Sequence, residues 1–258
     1  MTNMSAGTPT NPIEELTVMN PVREVRDFFT AALVNPVPRD HAETPEQLVQ
    51  RRWVSAVTLA IASFLMAWTL RISPGDPAIH AATLALGTTW IVGALMSGKL
   101  HLGSATTRRG EQDSRAIIQS FLVGLLLVGV FLVGAMIVAA IPTLRDPLLG
   151  MLAHARMGIL PIMVGLLFLN AVAAELFYRG GLHAATGGPH AVLITTFVFA
   201  LSTVSTGSPT LVVGAAVLGV VVGLQRRVTG GVLAPIITHV TWLAGMVFLL
   251  PAVLTIWN

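Results

Sequence analysis

The chain has 258 residues, 54% of them hydrophobic and only 10% charged, with 15 Lys and Arg against 12 Asp and Glu and no cysteine. A soluble domain carries about 25% charged residues, so this composition belongs in a membrane, and the missing thiols exclude disulfides, thiolate metal centres and a cysteine nucleophile. The basic excess is spread over short loops, where it sets topology rather than pointing to nucleic acid.

Residues 1–50 read as a polar cytoplasmic tail without the apolar core of a cleavable secretory signal. Met1 to Pro12 is expected to be disordered. From Pro21 to Val34 the residues Val22, Val25, Phe28, Phe29, Ala32 and Leu33 recur at helical spacing between charged positions. That pattern fits a helix lying on a membrane surface and equally one packed on the protein's own loops. Thr44-Pro45-Glu46-Gln47 has the form of a helix start, with Thr44 as N-cap and Gln47 closing a capping box.

Seven apolar spans follow: Trp53–Ile72, Ala78–Ser97, Ala116–Ile141, Ile159–Tyr178 (continuing as helix to about Thr186), Ala191–Thr206, Thr210–Gln225 and Val232–Ile256. With the tail inside, the inner segments carry twelve basic residues and the outer ones only Arg71, Arg145 and Arg156, which is the asymmetry of a cytoplasmic amino end. The expected fold is an all-α polytopic bundle of about seven transmembrane helices. It divides into the tail, three amino-terminal spans over 51–157 and a four-span core over 158–258. The Ala, Val and Gly richness and the single lysine, Lys99, suggest a bacterial plasma membrane. Ala215, Gly219 and Gly223 form a stripe of small residues whose expected use is close internal packing.

Chemistry concentrates in the fourth span. Glu175 is the one acidic residue within the apolar spans, and Arg179 follows one helical turn later on the same face. An ionisable group at the bilayer centre costs roughly 2.5–3.5 kcal/mol on insertion scales, so such residues face the interior and have partners. That is consistent with a structural ion pair and with a site. The fourth span also offers Asn170; the fifth offers Thr195, Thr196, Phe199, Ser202, Thr203 and Thr206; the seventh offers Pro235, Thr238, His239, Trp242 and Met246 on one face. Counted from their helix ends, Glu175 lies about 16 Å deep and His239 about 11 Å deep, compatible with one buried site. One histidine and one carboxylate fall short of the three protein ligands usual for catalytic zinc, and neither a metal nor any other cofactor is expected. His183 and His190 are expected to be solvated, and no serine-nucleophile turn is present.

Three segments in order carry a family resemblance. Ala174-Glu175-Leu176-Phe177-Tyr178-Arg179-Gly180 resembles the first motif of the CAAX protease and bacteriocin-processing family, a pair of glutamates, three residues, then Arg-Gly. Phe199-Ala200-Leu201-Ser202-Thr203 takes the place of the second motif, Phe, three residues, His. Thr229-Gly230-Gly231-Val232-Leu233-Ala234-Pro235-Ile236-Ile237-Thr238-His239 resembles the third, Thr-Gly, Ala-Pro-Ile, then the motif histidine. The resemblance covers roughly Gly158 to Leu250. It implies an intramembrane endopeptidase fold, that of enzymes trimming prenylated CAAX proteins and of bacterial relatives tied to peptide processing and bacteriocin self-immunity. In active members, it further implies, the first glutamate and the second-motif histidine activate a water, while the third-motif histidine, with an asparagine four residues on, stabilises the oxyanion.

This chain departs from that pattern at Ala174, Thr203 and Leu243, which stand where the first glutamate, the second histidine and the asparagine would be. Alanine takes no proton and threonine is no general base near neutral pH. Glu175 does not simply substitute, because one residue along a helix turns the side chain about 100°. What remains is Glu175, His239, a supporting Arg179, and Thr203 at the second-motif position. The expectation is a catalytically impaired member that holds a peptide or lipidated protein in the cleft, with membrane lipids around it and the oligomeric state open. The rivals are an active endopeptidase using Glu175 and His239 and, less favoured, a transporter component, for which the chain lacks evident internal repeats.

Overall fold

The computed structural model describes residues 21–37, 43–73, 75–105, 116–156 and 160–254. Met1 to Pro12, Arg39, Arg108, Arg109 and Arg115 lie outside them, as do the side chains of His154 and Arg156. Among the described residues the regular elements are all helical. They are α1 (Pro21–Leu33), α2 (Pro45–Thr69), α3 (Ala78–Ser97), α4 (Ile117–Ala139), α5 (Pro142–Arg156), α6 (Leu160–Glu175), a π-helical segment (Leu176–Leu182), α7 (His183–Thr186), α8 (Ala191–Ser202) ending in a 3₁₀ turn (Val204–Thr206), α9 (Pro209–Thr229) and α10 (Leu233–Leu254).

Six of these, counting Leu160–Thr186 as one continuous rod, are long and apolar enough to cross a bilayer, and Ala191–Thr206 is a shorter apolar helix. The chain is thus a multi-pass helical bundle. The lipid-facing character of its exterior is explicit in residues such as Trp53, Phe64, Ile118, Val133, Phe197 and Phe248, all apolar and exposed.

The start of α2 follows from its capping chemistry. The Thr44 hydroxyl accepts from the Gln47 amide at 3.3 Å, and the Thr44 amide donates to Gln47 Oε1 at 2.9 Å. The helix then runs without a break from Pro45 past position 50 to Thr69. The short connection expected after the third span is instead the helix α5, despite Pro147 within it. Tertiary packing overrides weak local propensity here, because Leu148 is buried against Ala139 and Leu254. The carboxyl half of α1 packs on α9, burying Ala32, while Val22 and Val25 near its amino end stay exposed.

Helix pairs are drawn close where one side chain is missing. A Cβ on Gly124 of α4 would lie 2.7 Å from Thr241 Cβ, and one on Gly245 of α10 would lie 2.4 Å from Val128 Cγ2, so the two glycines admit α4 and α10 to each other from both sides. Thr238 Oγ1 adds a 2.9 Å hydrogen bond to the Ser120 carbonyl across the same seam. The stripe of small residues on α9 faces α8: a Cβ on Gly219 would meet Thr196 Cγ2 at 3.0 Å and one on Gly223 would meet Val192 Cγ1 at 2.9 Å. The stripe serves internal packing, as expected.

The segment after α3 fixes where α10 begins. The Val232 and Leu233 amides donate to the His101 and Leu102 carbonyls at 2.9 and 3.1 Å, and the Ser104 amide donates to the Thr229 carbonyl at 2.9 Å. Gly230 ends α9 with φ +73°, the left-handed cap that favours glycine. Gly231 is needed for another reason. A Cβ there would fall 2.0 Å from the Leu102 carbonyl carbon and 2.1 Å from the Gly103 nitrogen, backbone atoms that have no rotamer to change. Gly231→Ala is therefore expected to cost more than the 1–3 kcal/mol typical of overpacking, say about 4 kcal/mol, whereas Gly129→Ala, with nothing within 4 Å of the added carbon, should stay within about 1 kcal/mol of the parent. Thermal unfolding of the two purified variants in detergent checks the contrast.

Candidate functional site

Three segments bring charge to one place. α6 ends on Glu175, and the helix then widens into the π-helical segment that carries Tyr178 and Arg179. α8 supplies Phe199, and α10 supplies His239 and Trp242 from its first three turns. A π turn inserts one extra residue per turn and recurs at functional sites. Here it is packed against the end of α3 by Gly180 and Gly181, whose absent side chains leave room for Leu100 and Ser97. Trp90 of α3 stacks on both Phe177 and Tyr178, with ring centroids 4.7 and 5.1 Å apart.

Glu175 and Arg179 are both fully buried (0% exposed). The carboxylate divides its oxygens. Oε1 accepts from His239 Nδ1 at 2.7 Å, and Oε2 faces Arg179 Nε at 3.3 Å. With a guanidinium alongside, the carboxylate is the acceptor, so the shared proton sits on Nδ1 and orients the imidazole. Two further contacts hold the Arg179 guanidinium, while its Nη1 is buried without a hydrogen-bond partner. Nη2 donates to the Gly219 carbonyl at 3.1 Å, and the carbon of the guanidinium lies 4.7 Å from the centroid of Phe199, within cation–π range. Phe199 and Trp242 in turn flank His239, with ring centroids at 6.2 and 5.8 Å. The small residue at Gly219 thus does two things: it lets α9 approach α8, and it exposes a backbone carbonyl to the buried cation.

The remaining polar candidates do not join this cluster. Asn170 ties α6 to α3, its Nδ2 donating to the Thr83 and Leu166 carbonyls at 3.0 and 2.9 Å. Thr203 ends α8, and its single hydroxyl proton goes to the Ala200 carbonyl at 2.7 Å. Ser202 and Thr206 do the same for the Phe199 and Thr203 carbonyls at 2.7 and 2.6 Å, and Thr195 for Ala191 at 2.8 Å. These four hydroxyls therefore fold back on the backbone of their own helix, whereas the Thr196 hydroxyl is buried without a hydrogen-bond partner. Thr238 bonds α4, as described above. Ala174 is buried beside the cluster and adds no polar group. Among the described residues no three metal-ligating side chains come together.

One contributor escaped the sequence. Arg226, in the last turn of α9, is buried, and its Nε donates to the Arg179 carbonyl at 2.5 Å. A π turn leaves carbonyls poorly paired within its own helix, and this guanidinium supplies the donor. In the sequence, Arg226 beside Arg227 reads as ordinary loop charge.

The cluster sets a stability expectation. Glu175→Ala leaves Arg179 buried without its counter-charge and should cost about 3–5 kcal/mol. Thr203→Ala removes only a local hydroxyl-to-carbonyl bond and should cost about 1 kcal/mol or less. Tm and folded yield in detergent separate the two.

Residues 156–244 match a family model described as type II CAAX prenyl endopeptidase Rce1-like. No curated protein and no solved structure matches the chain. The matched stretch takes in the end of α5, α6, the π-helical segment, α7, α8, α9 and the first half of α10, and with them Glu175, Arg179 and His239. Through that stretch, about a third of its length, this multi-pass helical membrane protein is similar to the CAAX prenyl endopeptidase family.

Proposed function

We propose that the chain is a non-catalytic or severely impaired CAAX-protease-type protein, a pseudoenzyme whose cleft receives a peptide or a lipidated protein without cutting it. The observation that carries this reading is the state of Glu175, the one buried carboxylate among the described residues. Oε1 is hydrogen-bonded by His239 and Oε2 is ion-paired with Arg179 without a hydrogen bond, at a position with no solvent exposure. A general base must reach the proton of an attacking water, and Ala174 and Thr203 supply none. On this reading Glu175, Arg179 and His239 hold α6, α8, α9 and α10 together. A bacterial plasma membrane with the amino end cytoplasmic is the setting that the twelve-to-three basic asymmetry and the Ala, Val and Gly richness favour, and the family resemblance suggests a role of the bacteriocin self-immunity kind. The division into a tail over 1–50, an amino-terminal unit over 51–157 and a core over 158–258 goes with it.

A second reading keeps the chemistry. Glu175 and His239 form a carboxylate–imidazole pair at 2.7 Å, and such a pair can serve as base and oxyanion donor when a water or substrate enters between its partners. One experiment discriminates. The full-length protein in bicelles is given a farnesylated peptide ending in a CAAX sequence, and release and binding are followed together. The expected result is saturable binding with no release above the protein-free background, and a Tm that falls in Glu175→Gln. Release that disappears in Glu175→Gln while Tm is unchanged would overturn the first reading in favour of the second.

A further inference from the structure

A cavity of about 520 Å³ with a basic lining lies at one end of the bundle, distinct from the Glu175 cluster. That volume is within the usual range for sites that take small molecules, roughly 300–1,000 Å³. Its walls come from the start of α2, the end of α3, the end of α7 and the last turn of α9, where apolar spans give way to polar chain. Arg51, Lys99, Arg226 and Arg227 line it together with His183, and the one carboxylate among the described lining residues is Glu43. That carboxylate is already committed, gripped by Arg51 in a fork at 2.6 and 2.7 Å. Arg51 Nη2 also donates to the Lys99 carbonyl at 2.8 Å, so the fork fastens the end of α3 and shapes the cavity rather than neutralising it.

We propose that this cavity binds a phosphate-bearing ligand, either the headgroup of an anionic phospholipid or a free phosphoryl compound, with Lys99 and Arg227 at its mouth and Arg226 at its base. Three features support it. Cationic side chains outnumber carboxylates among the described walls by four to one, and guanidinium forks match phosphate oxygens in geometry as well as charge. The cavity sits at the level where spans end, and basic pockets between membrane helices are where acidic headgroups lodge. Its floor is also mechanically joined to the buried cluster, because Arg226 Nε holds the Arg179 carbonyl and Gly180 lines the cavity. A ligand drawn to Arg226 therefore tightens the π-helical segment that carries Arg179. The inference is independent of whether the cleft cuts peptides.

The test uses the full-length protein in a zwitterionic detergent, with Tm as the readout. Saturating dioctanoyl phosphatidylglycerol is expected to raise Tm by about 5 °C, and dioctanoyl phosphatidylcholine to leave it unchanged. Inorganic pyrophosphate tells the sources apart: a rise with the glycerol lipid alone assigns a lipid headgroup, and a rise with pyrophosphate as well assigns a free phosphoryl group. Lys99→Gln and Arg227→Gln alter exposed side chains, and each should lose at least half of the shift, whereas Arg23→Gln on exposed α1 should keep it. Equal shifts from the two lipids, no shift from either anion, or a shift undiminished in both cavity variants would overturn the proposal.

Discussion

A carboxylate buried with no solvent exposure decides how this protein is built. Glu175 would be intolerable alone in the apolar interior, and its neutralisation needs partners from two directions. Arg179 comes from the widened turn that follows it in the chain, and His239 comes from the other end of the matched region, 64 residues away in sequence. The guanidinium in turn recruits a carbonyl of α9 and the face of Phe199. Four segments are thereby held in one relative register by charge, hydrogen bonds and ring faces. In a bilayer, where apolar burial between helices supplies little driving force, such contacts carry an unusual share of specificity.

The close approaches that make these contacts possible are provided by missing side chains. Gly219 opens the backbone carbonyl that Arg179 uses, Gly180 and Gly181 let the π-helical segment lie against the end of α3, and Gly231 lets the extended segment after α3 brace the first turn of α10. The Thr-Gly-Gly step before α10 thus has a mechanical sense. Its first glycine reverses the chain and its second makes way for another strand of backbone, which fixes the rotation of α10 about its axis. Without that rotation His239 would not point at Glu175.

Much of this was legible beforehand. Hydropathy located the long spans, because their apolar runs match the bilayer in length, and Thr44 with Gln47 announced the start of α2 through capping chemistry that is wholly local. The pairing of Glu175 with Arg179 followed from helical spacing together with the cost of burying charge. The π-helical segment did not show, since an extra residue in a turn leaves no mark on a periodicity read at 3.6. It changes what Arg179 can reach, and it creates the need for Arg226, whose role depends on a carbonyl that only the fold displaces. α5 was missed because its polar composition and Pro147 give a weak local signal that burial of Leu148 overrides. The hydroxyls of α8 read as one polar face able to converge on the site because spacing alone does not distinguish a side chain turned to a neighbouring helix from one folded back on its own backbone.

That folding back has a further consequence for the surrounding lipid. α8 with its 3₁₀ turn rises only about 24 Å, short of the roughly 30 Å of hydrocarbon it adjoins, and its outer face at Leu193, Ile194, Phe197 and Leu201 is apolar and exposed. A span this short is accommodated by thinning of the bilayer, by snorkelling of its flanking residues or by oligomerisation. Thinning beside the short 3₁₀ end of α8 would bring headgroups and water toward the level of Thr203, one turn beyond the ring that caps Arg179.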